Sequence, residues 1–74
     1  MREKVLEILV EINEDIESYD GDALLDDGII TSLDVIEIVT ALEDEFEISI
    51  AAKDITKENL ASVDSICSLI ERLQ

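Results

Sequence analysis

The sequence predicts an all-α fold, a small four-helix bundle with a long loop between the first two helices and a short third helix. Three observations carry this. Apolar residues recur at three- and four-residue spacing along most of the chain, no proline interrupts them, and strand-like alternation is confined to residues 47–50.

Val5, Ile8, Leu9, Ile12 and Ile16 fall on one helical face, with Glu3, Lys4, Glu7, Glu11 and Asp15 between them, which predicts an amphipathic helix over about residues 3–16. Leu6 and Val10 widen its apolar face. Ser18-Tyr19-Asp20-Gly21-Asp22 and Asp26-Asp27-Gly28 carry turn chemistry, so a long loop follows, pinned by Leu24, Leu25, Ile29 and Ile30. A hydroxyl at Thr31 or Ser32 can cap a second helix, with Asp34 in its first turn where the helix dipole favours an anion, and that helix runs to about Phe46. A short, weaker helical stretch is expected around Thr56-Lys57-Glu58-Asn59. Ser62 then caps a last helix with Val63, Ile66, Cys67, Ile70 and Leu73 at helical spacing.

Composition bounds the function. Twenty acidic residues against five basic ones and no histidine leave a net charge of −15 on 74 residues, which suits one small domain spanning residues 1–74. A domain of this size buries only roughly 60–65% of the surface of its unfolded chain, so there is little room for an enclosed active site. Scattered basic residues make nucleic acid an improbable partner, and the acidic surface is repelled by anionic membranes. Apolar residues make up 47% of the chain, enough for burial to outweigh chain entropy, so the chain is expected to fold despite its charge. No uninterrupted apolar stretch near the N-terminus serves as a signal peptide or spans a bilayer, and Cys67 has no second cysteine to pair with, so a cytoplasmic location is expected. Cys67, beside Ile66 and near Ile70, reads as a core thiol.

Many mechanisms lack their side chains. Without histidine there is no Ser-His-Asp or Cys-His arrangement and no imidazole metal site, and one cysteine builds no thiolate zinc site. Asp20, Asp22, Asp26 and Asp27 surround two glycines, but aligning Gly21 or Gly28 with the sixth position of an EF-hand loop puts Ile16 or Ala23 at the first, where a carboxylate is required. No specific metal site is predicted, only loose attraction of divalent cations. An enzyme in its own right has no evident machinery here.

The second helix holds the informative anomaly. Val35, Ile38, Val39, Leu42 and Phe46 make an ordinary core stripe, whereas Leu33 and Ile36 point with Thr40 toward the other side among Asp34, Glu37, Glu43, Asp44 and Glu47, with no Lys or Arg between. An apolar pair ringed by carboxylates is the pattern of a docking surface for a basic partner; the alternative is that Leu33 and Ile36 pack under the preceding loop against Leu25, Ile29 or Ile30. Ser32 also has two readings. It is an N-cap, whose loss costs about 1 kcal/mol, or a surface hydroxyl used for attachment, where a helix N-terminus suits an anionic adduct.

The run Asp26-Asp27-Gly28-Ile29-Ile30-Thr31-Ser32-Leu33-Asp34-Val35-Ile36-Glu37-Ile38-Val39, continuing through Ala41-Leu42-Glu43-Asp44-Glu45-Phe46, resembles the attachment motif and recognition helix of the acyl carrier protein family. The similarity extends to Asp54-Ile55-Thr56 and Ser62-Val63-Asp64-Ser65-Ile66. The resemblance implies a right-handed four-helix bundle of the acyl carrier protein type, with 4′-phosphopantetheine attached covalently to Ser32 and its thiol, rather than Cys67, carrying cargo as a thioester. It makes Leu33, Asp34, Ile36, Glu37, Thr40, Glu43 and Asp44 the docking residues. The implied partners are a phosphopantetheinyl transferase, an acyl- or aminoacyl-loading ligase and synthase enzymes with basic docking patches, the carrier being monomeric. One departure stands out: Thr31 occupies the place where the family usually has Asp. Thr40 likewise stands where larger apolar residues are frequent.

The function expected from this resemblance is a free-standing carrier of acyl intermediates for fatty acid or polyketide synthesis. Amino-acid cargo on an aminoacyl or peptidyl carrier is the alternative, since Ile55 to Val63 is similar to carriers of either kind. An unmodified acidic interaction module, with Ser32 only a cap, is the second alternative. An apolar interior able to expand around a long chain would favour lipid cargo.

Overall fold

A computed structural model describes all residues, 1–74, and contains three α-helices and two short 3-10 segments: α1 (Arg2–Ile12), a 3-10 segment (Glu14–Ser18), α2 (Ser32–Phe46), a second 3-10 segment (Ala52–Asp54) and α3 (Val63–Leu73). No strand forms. Helix α1 packs against both α2 and α3 and against the first 3-10 segment. The core lies between them. Val5 and Leu9 of α1, Ile38 and Leu42 of α2, and Ile66, Leu69 and Ile70 of α3 are buried in one cluster with Ile16, Leu24, Ile30, Ile50 and Leu60. Every buried residue is apolar. Each such side chain contributes about 1.5–3 kcal/mol on removal from water. Helical periodicity therefore located the core faces of α1 and α2, while Leu69 is a buried position of α3 beyond the five expected.

The first helix is shorter than the periodicity suggests. Asn13 leaves helical geometry (φ −149°, ψ 103°), and its side-chain oxygen accepts a hydrogen bond from the Asp15 N–H at 3.0 Å. This local bond competes with the continuing helix and starts the 3-10 segment instead. Ile16 is still delivered to the core, 2% exposed.

The connection from Asn13 to Thr31 is held from within and from without. Leu24 and Ile30 are buried, and Leu25 and Ile29 pack against the cluster. The Leu24 N–H donates to the Ala61 carbonyl at 3.0 Å, and the Leu24 carbonyl accepts from both Ile29 and Ile30 N–H. The Tyr19 hydroxyl donates to Asp27 at 2.6 Å and accepts from the Ala23 N–H at 2.8 Å. Its bond to Asp27 holds the phenol above its ordinary range. Gly21 lets the phenol in, since a Cβ there would come 2.6 Å from the hydroxyl oxygen. Gly28 turns the chain with φ +74°, a conformation that L side chains rarely adopt.

The short third helix expected around Thr56–Asn59 is not an α-helix. Residues 57–60 form a single turn. Leu60 N–H donates to the Thr56 carbonyl, Thr56 Oγ1 accepts from Asn59 N–H, and Asn59 Nδ2 donates back to the Asp54 carbonyl at 2.8 Å. The turn goes no further because Ser62 is extended (φ −154°, ψ 170°) and caps α3 by accepting from Ser65 N–H. Three α-helices thus stand where four helices were expected, with 3-10 and turn structure between the last two. No helix is long and apolar enough to cross a membrane.

Candidate functional site

Helix α2 begins at Ser32, and its N-cap is Thr31 rather than Ser32. Thr31 Oγ1 accepts from the Asp34 N–H at 3.3 Å, and the Asp34 carboxylate accepts from the Thr31 N–H at 3.1 Å. These reciprocal bonds are a capping box, with Asp in the place more often taken by Glu or Gln. Threonine supplies the cap that a helix needs at this position, so the departure from the usual Asp leaves the helix start satisfied.

Asn13 adds a third partner from the end of α1. Its Nδ2 donates to the Ile29 carbonyl at 2.6 Å and to the same Asp34 Oδ2 at 3.3 Å. One half-buried amide thereby ties the end of α1, the loop and the first turn of α2 together.

Ser32 is released from capping by this arrangement. It is exposed, and its hydroxyl takes part in none of the bonds that hold the helix start. With the Asp34 N–H engaged by Thr31, the Ser32 and Leu33 N–H groups are the first-turn donors that helix geometry leaves without an intrahelical partner. An exposed primary hydroxyl beside two such donors and the positive end of a 15-residue helix fits a phosphodiester.

The structure separates the sequence-expected docking residues into two groups. Leu33 (73% exposed) and Ile36 (63% exposed) stand in solvent and do not pack under the loop. Glu37, Thr40 and Asp44 are exposed beside them on the same helix. Asp34 and Glu43 are half-buried and engaged in structure, Asp34 in the capping box and Glu43 through Oε2, which accepts from the Ile50 N–H at 2.8 Å. Glu43 thus closes the far end of α2, after Glu47 has turned the chain through a left-handed conformation (φ 53°). No basic residue lies along α2 to offset this acidity. Elsewhere, three of the five cations are paired with carboxylates, Arg2 with Asp64, Lys4 with Glu7 and Lys57 with Asp26.

Cys67 is half-buried and packs against the core. Burial, followed by the charge of Asp64, pushes its thiol above the ordinary range, the opposite of what a reactive thiolate requires. The hollows of the molecule are open ones at the surface, beside the 57–61 turn, along the acidic face of α1, and between Arg2 and Tyr19; Ser32 lines none of them. No group of histidine, cysteine or carboxylate side chains is arranged to hold a metal ion.

Sequence reasoning did not single out Asn13 or the pairing of Thr31 with Asp34. The Thr-x-x-Asp spacing was the available signal for the capping box, whereas the reach of Asn13 to Ile29 and Asp34 depends on tertiary structure.

Comparison with known proteins agrees with this geometry. Residues 3–70 match the family model described as the phosphopantetheine attachment site. The chain is 34% identical over 71 residues to an acyl carrier protein of Campylobacter lari, covering 96% of this chain and 88% of that one. No solved structure matches it. The match over nearly the whole chain, together with a helix N-terminus suited to a phosphodiester, makes this chain a member of the acyl carrier protein family, a phosphopantetheine-binding carrier and not an enzyme.

Proposed function

We propose that residues 1–74 act as one monomeric carrier domain, with the phosphopantetheine arm attached to Ser32, that presents acyl intermediates of fatty acid or polyketide synthesis to successive enzymes in the cytoplasm. The observation that carries the reading is the exposed Ser32 hydroxyl at the first position of a helix whose cap is made by its neighbours. The arm supplies a thiol that holds cargo as a thioester. The chain itself offers the hydroxyl, fixes its place on the rigid end of α2, and presents a face to partners. Leu33 and Ile36 are the apolar anchors of that face, and Glu37 and Asp44 steer a basic partner toward it while Thr40 lies between. Asp34 and Glu43 contribute to docking with whatever capacity their structural bonds leave free. The partners on this reading are a phosphopantetheinyl transferase, a loading ligase and synthase enzymes with basic patches.

An acyl rather than aminoacyl load is supported by the name of the Campylobacter lari relative. A long chain has to part a continuous apolar cluster to enter the bundle, so shelter of the load is measurable. The test begins with coenzyme A, magnesium and a broad-specificity phosphopantetheinyl transferase, followed by intact mass and fragment mapping. A single adduct on Ser32 is expected, and an adduct elsewhere or none would overturn the attachment site. The loaded carrier is then offered separately to acyl-loading and aminoacyl-loading ligases. Loading by the acyl enzyme, with slowed hydrolysis of a long-chain thioester, supports lipid cargo; aminoacyl loading alone would overturn it.

A further inference from the structure

We propose that Asn13 is a positioning residue for the loading of Ser32, acting through Asp34. This rests on Ser32 being the attachment serine. Every polar atom of the Asn13 side chain is engaged. Its Oδ1 accepts from the Asp15 N–H, and both donors of its amide are engaged, on the Ile29 carbonyl at 2.6 Å and on Asp34 Oδ2 at 3.3 Å. The Asp34 oxygen it reaches is the same one that accepts from the Thr31 N–H. Two points of the backbone that immediately precede Ser32, the Ile29 carbonyl and the Thr31 N–H, are therefore fixed through a single side chain rooted at the end of α1. Ile30, between them, is anchored separately by burial. Ser32 follows at once, its own hydroxyl unengaged.

A transferase has to bring this hydroxyl into line with the coenzyme A phosphorus that bears pantetheine, so that the Ser32 O–P bond forms as the pyrophosphate bond breaks, adenosine 3′,5′-bisphosphate leaves and the serine proton passes to solvent or an enzyme base. A segment already held in its competent place binds for this step at lower entropic cost. Without the Asn13 amide, Asp34 keeps only local bonds to Thr31, and the loop before Ser32 loses its tie to α1. Binding of the carrier to the transferase is then weakened by the fraction of time the segment leaves its competent place. Asn13 belongs to the end of α1 rather than to α2, and its effect on Ser32 runs through its bonds to Ile29 and Asp34.

Two substitutions isolate the donor. Asn13→Asp is nearly isosteric and keeps an acceptor for the Asp15 N–H, but removes the amide donors. Asn13→Ser keeps a capping oxygen without adding charge and is too short to reach Ile29 or Asp34. Loading kinetics with coenzyme A and the transferase are expected to show KM for the carrier raised about tenfold in both, with kcat little changed. In the Asp34→Asn background, Asn13→Asp regains the contact to position 34 with reversed polarity but not the bond to the Ile29 carbonyl, so its penalty should be smaller than in the wild-type background without vanishing. Amide hydrogen exchange gives a readout that needs no loading: Thr31 N–H should exchange faster in both single variants while the amides of α3 keep their protection. Unchanged KM and exchange in both single variants would overturn the proposal, as would an equal Asn13→Asp penalty with and without Asp34. If the wild-type chain takes no adduct on Ser32, the attachment reading falls and this inference with it; an adduct formed on Ser32 at equal rates in all variants removes this inference alone.

Discussion

Thr31→Ala and Ser32→Ala separate two roles that lie one residue apart. In Thr31→Ala the Asp34 N–H loses its acceptor at 3.3 Å, while the return bond to the carboxylate survives because its donor is the Thr31 backbone. Removing an N-cap hydroxyl costs about 1 kcal/mol. Ser32 is instead the first helical residue and exposed, so alanine replaces it with a better helix former, a gain of at most about 0.5 kcal/mol. Unfolding entropy of about 2.1 cal/mol/K per residue over 74 residues converts 1 kcal/mol into a Tm shift of about 6 °C. Thr31→Ala should accordingly melt about 6 °C below wild type and Ser32→Ala at, or up to about 3 °C above, the wild-type midpoint.

Thermal melts by far-UV circular dichroism at physiological salt, run beside intact-mass analysis after transferase treatment, read both effects on the same samples. Thr31→Ala should still accept the adduct, and Ser32→Ala should accept none. A Ser32→Ala chain that melts several degrees low, beside an unchanged Thr31→Ala, would show that the serine is the cap and refute the division of roles. Retained loading of Ser32→Ala would remove Ser32 as the attachment site.

Glu37→Lys combined with Asp44→Lys should slow association with the transferase by about tenfold at low salt and much less at high salt, since steering is screened; salt-independent kinetics in stopped flow would show that this face is not used. Gly28→Ala should cost about 1 kcal/mol in urea unfolding, although an added Cβ meets nothing within 4 Å, because the φ of +74° is the obstacle; an unchanged midpoint would mean the loop relaxes freely. Cys67 should alkylate with iodoacetamide far more slowly than glutathione at mildly alkaline pH, because burial raises its pKa. A raised folded pKa also fixes the sign of its linkage. The neutral thiol contributes to stability below the ordinary value of 9.0 and loses that contribution as pH rises through the folded value, so wild type should lose more stability than Cys67→Ala on alkaline titration.

What could be read in advance followed from short-range regularities. The extent of α2 was legible because its apolar stripe and the hydroxyls before it are local signals, and Leu24 and Ile30 betrayed the loop's anchors through being apolar among turn residues. Ser62 marked the start of α3 for the same reason. The shortened α1 was not legible, since Ile16 continues the apolar repeat and is buried, but the backbone reaches it through a 3-10 turn imposed by Asn13. The turn at 57–60 was misread because its composition permits a helix, whereas Asn59 is drawn back to Asp54 and Ala61 offers its carbonyl to Leu24, more than thirty residues away. At the site, the exposure of Leu33 and Ile36 decided between two packings that periodicity left open. The identity of the cap turned on which of two adjacent hydroxyls faces the Asp34 N–H, a choice that spacing alone leaves ambiguous.

The acidity of α2 has two physical meanings once its carboxylates are placed. Asp34 accepts from the Thr31 N–H at the start of α2 and Glu43 from the Ile50 N–H of the segment beyond its end, so their charge is compensated by donors within the fold. Glu37, Asp44 and Glu45 are exposed, and no salt bridge engages them. Asp44 and Glu45 moreover sit in the last turns, where the helix dipole is already negative, and each carboxylate there is disfavoured by about 0.3–1 kcal/mol. Asp44, which shares a helix face with Leu33, therefore carries a charge that disfavours the isolated helix and that a basic partner, on the proposed docking, would relieve. On that proposal the same charge costs stability in the free chain and favours the docked one, and raising the salt should stabilise the free carrier while weakening its encounters.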